Sequence, residues 1–329
     1  MNGYQFIKTW LASSIAALCL ATSAQAENYP SRPIKIVVPF APGGSTDIIA
    51  RMLGQRMSVS MGQPVIIENK PGATGIIGVE SAAKAPADGH TLLVTTSGSL
   101  MGTKFMYEKL PFNVESDLRL TYQISQLPAV LVVNSSLPVN TVPQLLHYVA
   151  ANRGRLVYGS WGLGTYAHLG GAYMDASQKG EMVHSIYKGE AITMQEVLAG
   201  RVNITFISAS IAAPHIMAGA VKALAVTSAK RTPSLPNVPT MLEQGVTDLG
   251  YQMNGWIGLA VPAKTPAFIV NRLAEETRKA ISQPDFQSRL ADMGMEAIPD
   301  SSPDAFTAVY QRDLPNWGRL IRQAGIKPQ

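Results

Sequence analysis

The chain has 329 residues, 46% of them hydrophobic and only 15% charged, with a formal net charge of +5. No basic run stands out, so nucleic-acid binding is set aside. The single cysteine, Cys19, leaves no scope for a disulfide or a cysteine-ligated metal.

The first residues address compartment. Lys8 is followed by an apolar run, Trp10 to Leu20, and by Ala24-Gln25-Ala26. That run is too short to span a membrane, and the small-residue site fits a secretory signal peptide cleaved after Ala26, giving residues 1–26 as a removed segment. Ala16-Ala17-Leu18 before Cys19 is a poor lipoprotein box. The mature chain then has no cysteine, which suits the bacterial periplasm better than a eukaryotic secretory route.

The apolar run Ile34 to Val38 reads as a buried strand, and the apolar residues 48, 49, 52, 53 and 57 recur at helical spacing. Between them lies Pro39-Phe40-Ala41-Pro42-Gly43-Gly44-Ser45-Thr46-Asp47, a strand-to-helix turn. Gly43 and Gly44 remove side chains, and Ser45 or Thr46 can cap the helix. Unpaired N–H groups and a partial positive charge at the helix start suit an anion. The alternative is a capped turn with no ligand. Asp47 is read as a turn brace, since a carboxylate there repels an acid.

Strands are expected at Val65 to Glu68 and Thr91 to Thr95, each followed by a turn: Asn69 to Gly75, and Thr96-Ser97-Gly98-Ser99. Three strand–helix units in a row indicate a parallel sheet covered by helices, with ligands beyond the carboxyl ends of the strands. After strand Val130 to Val133 and a helix capped by Thr141, the pattern restarts. Strand Leu156 to Tyr158 runs into Gly159 to His168, and strand Met182 to Ser185 into Tyr187-Lys188-Gly189 and a helix around Met194 to Leu198. Strand Val202 to Ile207 runs into Ser208, and Lys222 to Thr227 is a further strand. Gly255 to Val261 is a last strand, and three helices to about Ala324 return to cover the first sheet.

Competing motifs fail on context. Gly162 to Ala167 matches G-x-G-x-x-A, but the next strand ends at Ser185, without the acidic residue a ribose needs. Gly72 to Gly78 lacks the Lys-Ser/Thr pair of a P-loop, and Ser160 has no glycine two positions before it. The histidines at 90, 147, 168, 184 and 215 show no metal-ligand spacing. No metal, cofactor or catalysis is expected. His168 either braces its loop or touches ligand. Lys188 either meets a second carboxylate or is solvated.

Many segments, in order, resemble one family. They include Val38-Pro39-Phe40-Ala41-Pro42-Gly43-Gly44 with Asp47, Glu68-Asn69-Lys70-Pro71-Gly72-Ala73 and Asp88-Gly89-His90-Thr91. Later come Tyr158-Gly159-Ser160 with Gly164-Thr165, Tyr187-Lys188-Gly189 and Leu235-Pro236-Asn237-Val238-Pro239-Thr240. The chain is similar to the substrate-binding receptors of tripartite tricarboxylate transporters, the Bug proteins. The resemblance implies an α/β, two-domain periplasmic binding fold of type II, a flytrap whose domains are each a mostly parallel sheet flanked by helices. It implies residues 27–128 with 254–329 as one domain and 129–253 as the other. It also implies a small organic acid held between the domains and delivered to a permease of one large and one small membrane subunit. A monomer is expected.

The resemblance implies that the turn holding Phe40, Ala41, Gly43, Gly44 and Ser45 faces the ligand from one side and that Gly164, Thr165 and Tyr166 grip a carboxylate from the other. By their places at strand ends and helix starts, Thr96 and Ser97 are added to the first side, and Ser160, Trp161, His168, Tyr187, Lys188, Ile207 and Ser208 to the second. Many members carry an aspartate where Ile207 stands, so an amino-acid ligand is less expected. A di- or tricarboxylate or an aromatic carboxylate is expected: Trp161 and Tyr166 favour a flat or aromatic acid, the alternative being that Trp161 packs on the domain surface. The alternatives are a receptor acting on a membrane sensor and an exported small-ester hydrolase.

Overall fold

The computed structural model describes residues 29–251 and 254–328. The expected signal peptide, with Cys19, lies outside the described residues.

The first sheet is built from β1 (Ile34–Val38), β2 (Val65–Asn69), β3 (Thr91–Thr96), β4 (Leu118–Leu127) and β10 (Gly255–Pro262), in the order β2-β1-β3-β10-β4. The second uses β5 (Ala129–Asn134), β6 (Val157–Ser160), β7 (Val183–Ile186), β8 (Ile204–Ser208) and β9 (Val221–Val226), in the order β7-β6-β8-β5-β9. The two orders are the same pattern. In each sheet one strand runs against the rest, β10 in the first and β5 in the second. Those two are the first strands after the chain changes sheet, so each lobe lends the other a reversed strand. The central strands are near-continuous apolar runs because helices cover both faces.

One strand goes unforeseen in the reading by pattern. β4 alternates Leu118, Leu120, Tyr122 and Ile124, the period of a strand. It forms the edge beside β10.

The helices are α1 (Ser45–Met61), α2 (Ile76–Ala83), α3 (Thr103–Met106), α4 (Val114–Asp117), α5 (Val142–Ala151) and α6 (Tyr166–Gln178). They continue with α7 (Glu190–Leu198), α8 (Ala209–Met217), α9 (Ala267–Ile281), α10 (Pro284–Asp292) and α11 (Pro303–Gln323). A π-helical turn, Gly98–Gly102, leads into α3. Thr141 accepts a hydrogen bond from Gln144 N–H and so caps α5, as the sequence predicts.

Of the last three helices, α9 and α11 pack on the first sheet and α10 packs against α9. Phe306 of α11 is buried edge-on against Trp256 of β10, with ring centroids 4.7 Å apart. It lies over Gly258, where an added Cβ would sit 2.3 Å from the ring. That close seat needs glycine in the strand.

Candidate ligand-binding cleft

The two sheets face each other with the carboxyl ends of their parallel strands. Between them is a cavity of about 120 Å³. Its first wall is the β1–α1 turn, Phe40, Ala41, Pro42, Gly44, Ser45 and Thr46, with Thr96, Gly98 and Leu127 at the strand ends. The opposite wall is Trp161, Thr165 and Tyr166 at the start of α6, with Lys188 to Ile192 around the start of α7.

The β1–α1 turn is shaped as the sequence predicts. Gly43 holds φ +87, and the N-cap Gly44 offers no side chain to the first N–H groups of α1. Those groups stay open to an anion. Asp47 braces the turn from behind: its carboxylate accepts from Gly43 N–H (3.0 Å), Asn69 (2.9 Å) and Arg51 (2.9 Å). Burial works to raise the Asp47 pKa, but these donors hold it below the usual carboxylate value.

The opposite loop is largely self-satisfied. Gly164 N–H donates to His168 Nδ1 (3.1 Å), and the Thr165 hydroxyl donates to the Gly162 carbonyl (2.7 Å). The same hydroxyl accepts from His168 N–H, capping α6. His168 stacks on His184 (centroids 4.5 Å apart, 14°), and His184 stacks on Tyr158 (4.6 Å, 5°). His168 therefore braces the loop. Burial pushes His184 down to about 4, and burial with the neighbouring His184 pushes His168 down to about 3.

Ser160 Oγ lies 2.7 Å from His184 Nε2, the spacing of a nucleophile and its base. Ser160 is fully buried, however, and no carboxylate bonds His184 among the described residues. The pair holds the stack together.

Of the residues assigned in advance, Phe40, Ala41, Gly44, Ser45, Thr96, Trp161, Thr165, Tyr166 and Lys188 line the cavity. Trp161 and Tyr166 pack edge to face, 4.9 Å between centroids at 78°. Ser97, Ser160, Gly164 and His168 are buried behind the walls, and Ser97 Oγ, for example, accepts from Trp256 N–H at 3.4 Å; exposed Gly43 and half-buried Tyr187 also lie outside the lining. Ser208 stands behind Ser45, their hydroxyls 3.1 Å apart across the cleft.

Ile207 is a correction. It is fully buried on the other face of β8, packed with Val130, Met194 and Val197, and does not reach the cleft. A strand covered on both faces gives no periodic sign of which side a residue takes.

The residue the sequence reading missed is Glu190. α7 starts at Glu190, not near Met194, and sets its carboxyl at the cavity wall. Glu190 Oε1 accepts from the Tyr166 hydroxyl (2.7 Å), and Oε2 accepts from Ser208 (2.6 Å) and, at 3.4 Å, from Ser45. Burial pushes the Glu190 pKa up, against the pull of these hydroxyls, and pushes Tyr166 well above its ordinary value. The signal was present: a glycine followed by an acidic residue is a helix-start pattern.

The lobes touch beside the cavity through glycines. An added Cβ on Gly102 would lie 2.2 Å from the Gly164 carbonyl oxygen, and one on Gly162 would lie 2.7 Å from Thr74 Oγ1. Such backbone contact is open only to residues without side chains.

Two lobes of one strand pattern, meeting around a small cavity at their strand ends, define a solute-binding protein of the periplasmic type. The receptor model of the tripartite tricarboxylate transporter family matches residues 49–326, and the chain belongs to that family. It is 37% identical over 309 residues to a protein of the tcbD-tcbE intergenic region of Pseudomonas sp. (strain P51), covering 93% of this chain and 91% of that one. The solved periplasmic binding protein BugD is 31% identical with a TM-score of 0.85, over 92% of this chain and all of BugD, or 100%. R. palustris Rpa4515, solved with adipate, is 32% identical with a TM-score of 0.86, over 92% of this chain and 100% of that one.

Proposed function

We propose that this chain is a periplasmic receptor that captures a small organic acid between its lobes and hands it to a membrane permease of one large and one small subunit. The observation that carries the reading is the uncapped start of α1, which opens from one lobe on a cavity closed by the other. Helix starts of this kind favour a carboxylate, and Lys188 adds a positive charge at the rim. Membership of the receptor family and the adipate held by a relative support the acid and the transport role. The apolar walls, Phe40, Trp161 and Ile192, suit the carbon body of the acid.

A thermal-shift screen of mono-, di- and tricarboxylates and aromatic acids tests this, because a ligand that binds only the folded state raises its melting temperature. At least one acid should raise Tm in a dose-dependent way. Uniform silence across the panel at millimolar concentration would reject the reading.

A further inference from the structure

Glu190 and the anion-accepting end of the cavity are one place. Glu190 Oε2 lies 3.4 Å from Ser45 Oγ, and Ser45 is the first residue of α1, whose opening N–H groups are left uncapped. The cavity there holds only about 120 Å³. A carboxylate that accepts from those N–H groups therefore comes to rest beside the Glu190 carboxyl.

The surroundings of Glu190 do not neutralise a second negative charge. Oε1 accepts from Tyr166 of α6 (2.7 Å), and Oε2 accepts from Ser208 at the end of β8 (2.6 Å) and from Ser45 of α1; all three donors are neutral hydroxyls. Ser210 of α8 completes the group, 3.0 Å from Ser45 Oγ and 3.1 Å from Ser208 Oγ. Lys188, on the same wall, is the other charged residue lining the cavity; it is exposed and forms no ion pair with Glu190. Asp47 of α1 is turned away onto Gly43, Asn69 and Arg51. Burial, the largest influence on Glu190, raises its pKa before any ligand arrives.

Two carboxylates held side by side do not both stay ionised. One keeps a proton and donates it to the other in a short, charge-assisted hydrogen bond. We propose that the cleft binds its acid together with one proton, shared between the ligand carboxylate and Glu190. The proton comes from solvent on binding and returns to solvent on release. This rests on the carboxylate-receptor reading above and adds the protonation state in which the acid is held. The complex then carries one more proton than the separate partners with Glu190 ionised, so affinity falls as pH rises above the Glu190 titration.

The test is calorimetry with adipate, succinate and benzoate. Affinity is followed from pH 6.5 to 9, where these acids are ionised throughout. Proton uptake is read at the upper end by comparing HEPES with Tris, whose ionisation enthalpies differ. The best of the three acids should bind with an uptake approaching one proton per molecule, and its affinity should drop by up to about tenfold per pH unit. In Glu190→Gln, which keeps the shape and removes the charge, both the uptake and the drop should vanish, and the variant should bind more tightly than wild type at pH 9. Wild-type binding with no proton uptake and a level affinity over the range would overturn the proposal and leave the acid-receptor reading intact. So would an uptake that persists in Glu190→Gln. Failure of all three acids at every pH would overturn both. The wild-type measurement stands without the variant, so a misfolded Glu190→Gln does not rescue the proposal.

Discussion

Gly102→Ala is the sharpest perturbation of lobe closure. Gly102 has φ −62 and ψ −47, a right-handed helical conformation that alanine adopts without strain. Its obstacle is spatial: the new Cβ would lie 2.2 Å from the Gly164 carbonyl oxygen and 2.8 Å from its carbon. Real Cβ contacts essentially never fall below 3.0 Å, so the lobes must part by at least 0.8 Å at this point. Overpacking of this kind costs about 1–3 kcal/mol. Charged entirely to the closed state, that weakens ligand binding by roughly 5- to 150-fold. Within the first lobe the same Cβ would meet the edge of Trp317 at 2.9 Å, a smaller conflict that helix propensity worth up to about 1 kcal/mol offsets. The ligand-free protein should therefore melt within about 4 °C of wild type. Calorimetry with the best acid and a melting curve without it separate the two effects. Affinity within twofold of wild type, with normal melting, would refute the idea that the lobes close on the Gly102–Gly164 contact.

Further outcomes follow from single side chains. Trp161→Ala removes the aromatic wall that packs on Tyr166 and should weaken ligand binding up to about tenfold while leaving the fold intact, measured by calorimetry and circular dichroism. Phe306→Ala leaves a hole over Gly258 and Trp256 and should cost about 3–5 kcal/mol in denaturant unfolding. His184 and His168 have folded pKa values lowered to about 4 and about 3, below the ordinary 6.5. Their unfolded forms take up protons first, so stability is full above about pH 6.5 and declines as pH falls toward 4, by up to about 1.4 kcal/mol per group per pH unit. A melting temperature that holds level from pH 7 to 4.5 would contradict this. Glu190 has the opposite sign: its raised folded pKa means that the folded state binds more protons, so stability falls as pH rises through its titration. Glu190→Gln should then stabilise the ligand-free protein at neutral pH, a gain that fades as pH falls through the carboxylate range in urea titrations.

Much of the architecture was legible because it is local. The run Ile34–Val38, the paired glycines and the helical spacing after Asp47 specify a strand, a turn and a helix, and that unit forms the first wall of the cavity. The restart of the pattern after Val133 announced the second sheet, whose strand order repeats the first. What was not legible depends on contacts far apart in sequence. Gly102 and Gly164 give no local hint that they touch. Ile207 and Ser208 are neighbours, yet one enters the core and the other reaches Ser45, because successive side chains of a strand point to opposite faces. Glu190 was hidden by a late placement of the helix start, which left its carboxyl in a turn rather than on the cavity wall.

The most direct test of the receptor account is a crystal structure of the protein with the acid that binds it best. The account predicts one ligand molecule between the lobes, with a carboxylate oxygen at the start of α1 near Ser45 and its carbon body against Trp161. Ligand bound instead in the outer groove near Arg231, or a cleft that stays empty while the acid still binds, would contradict it.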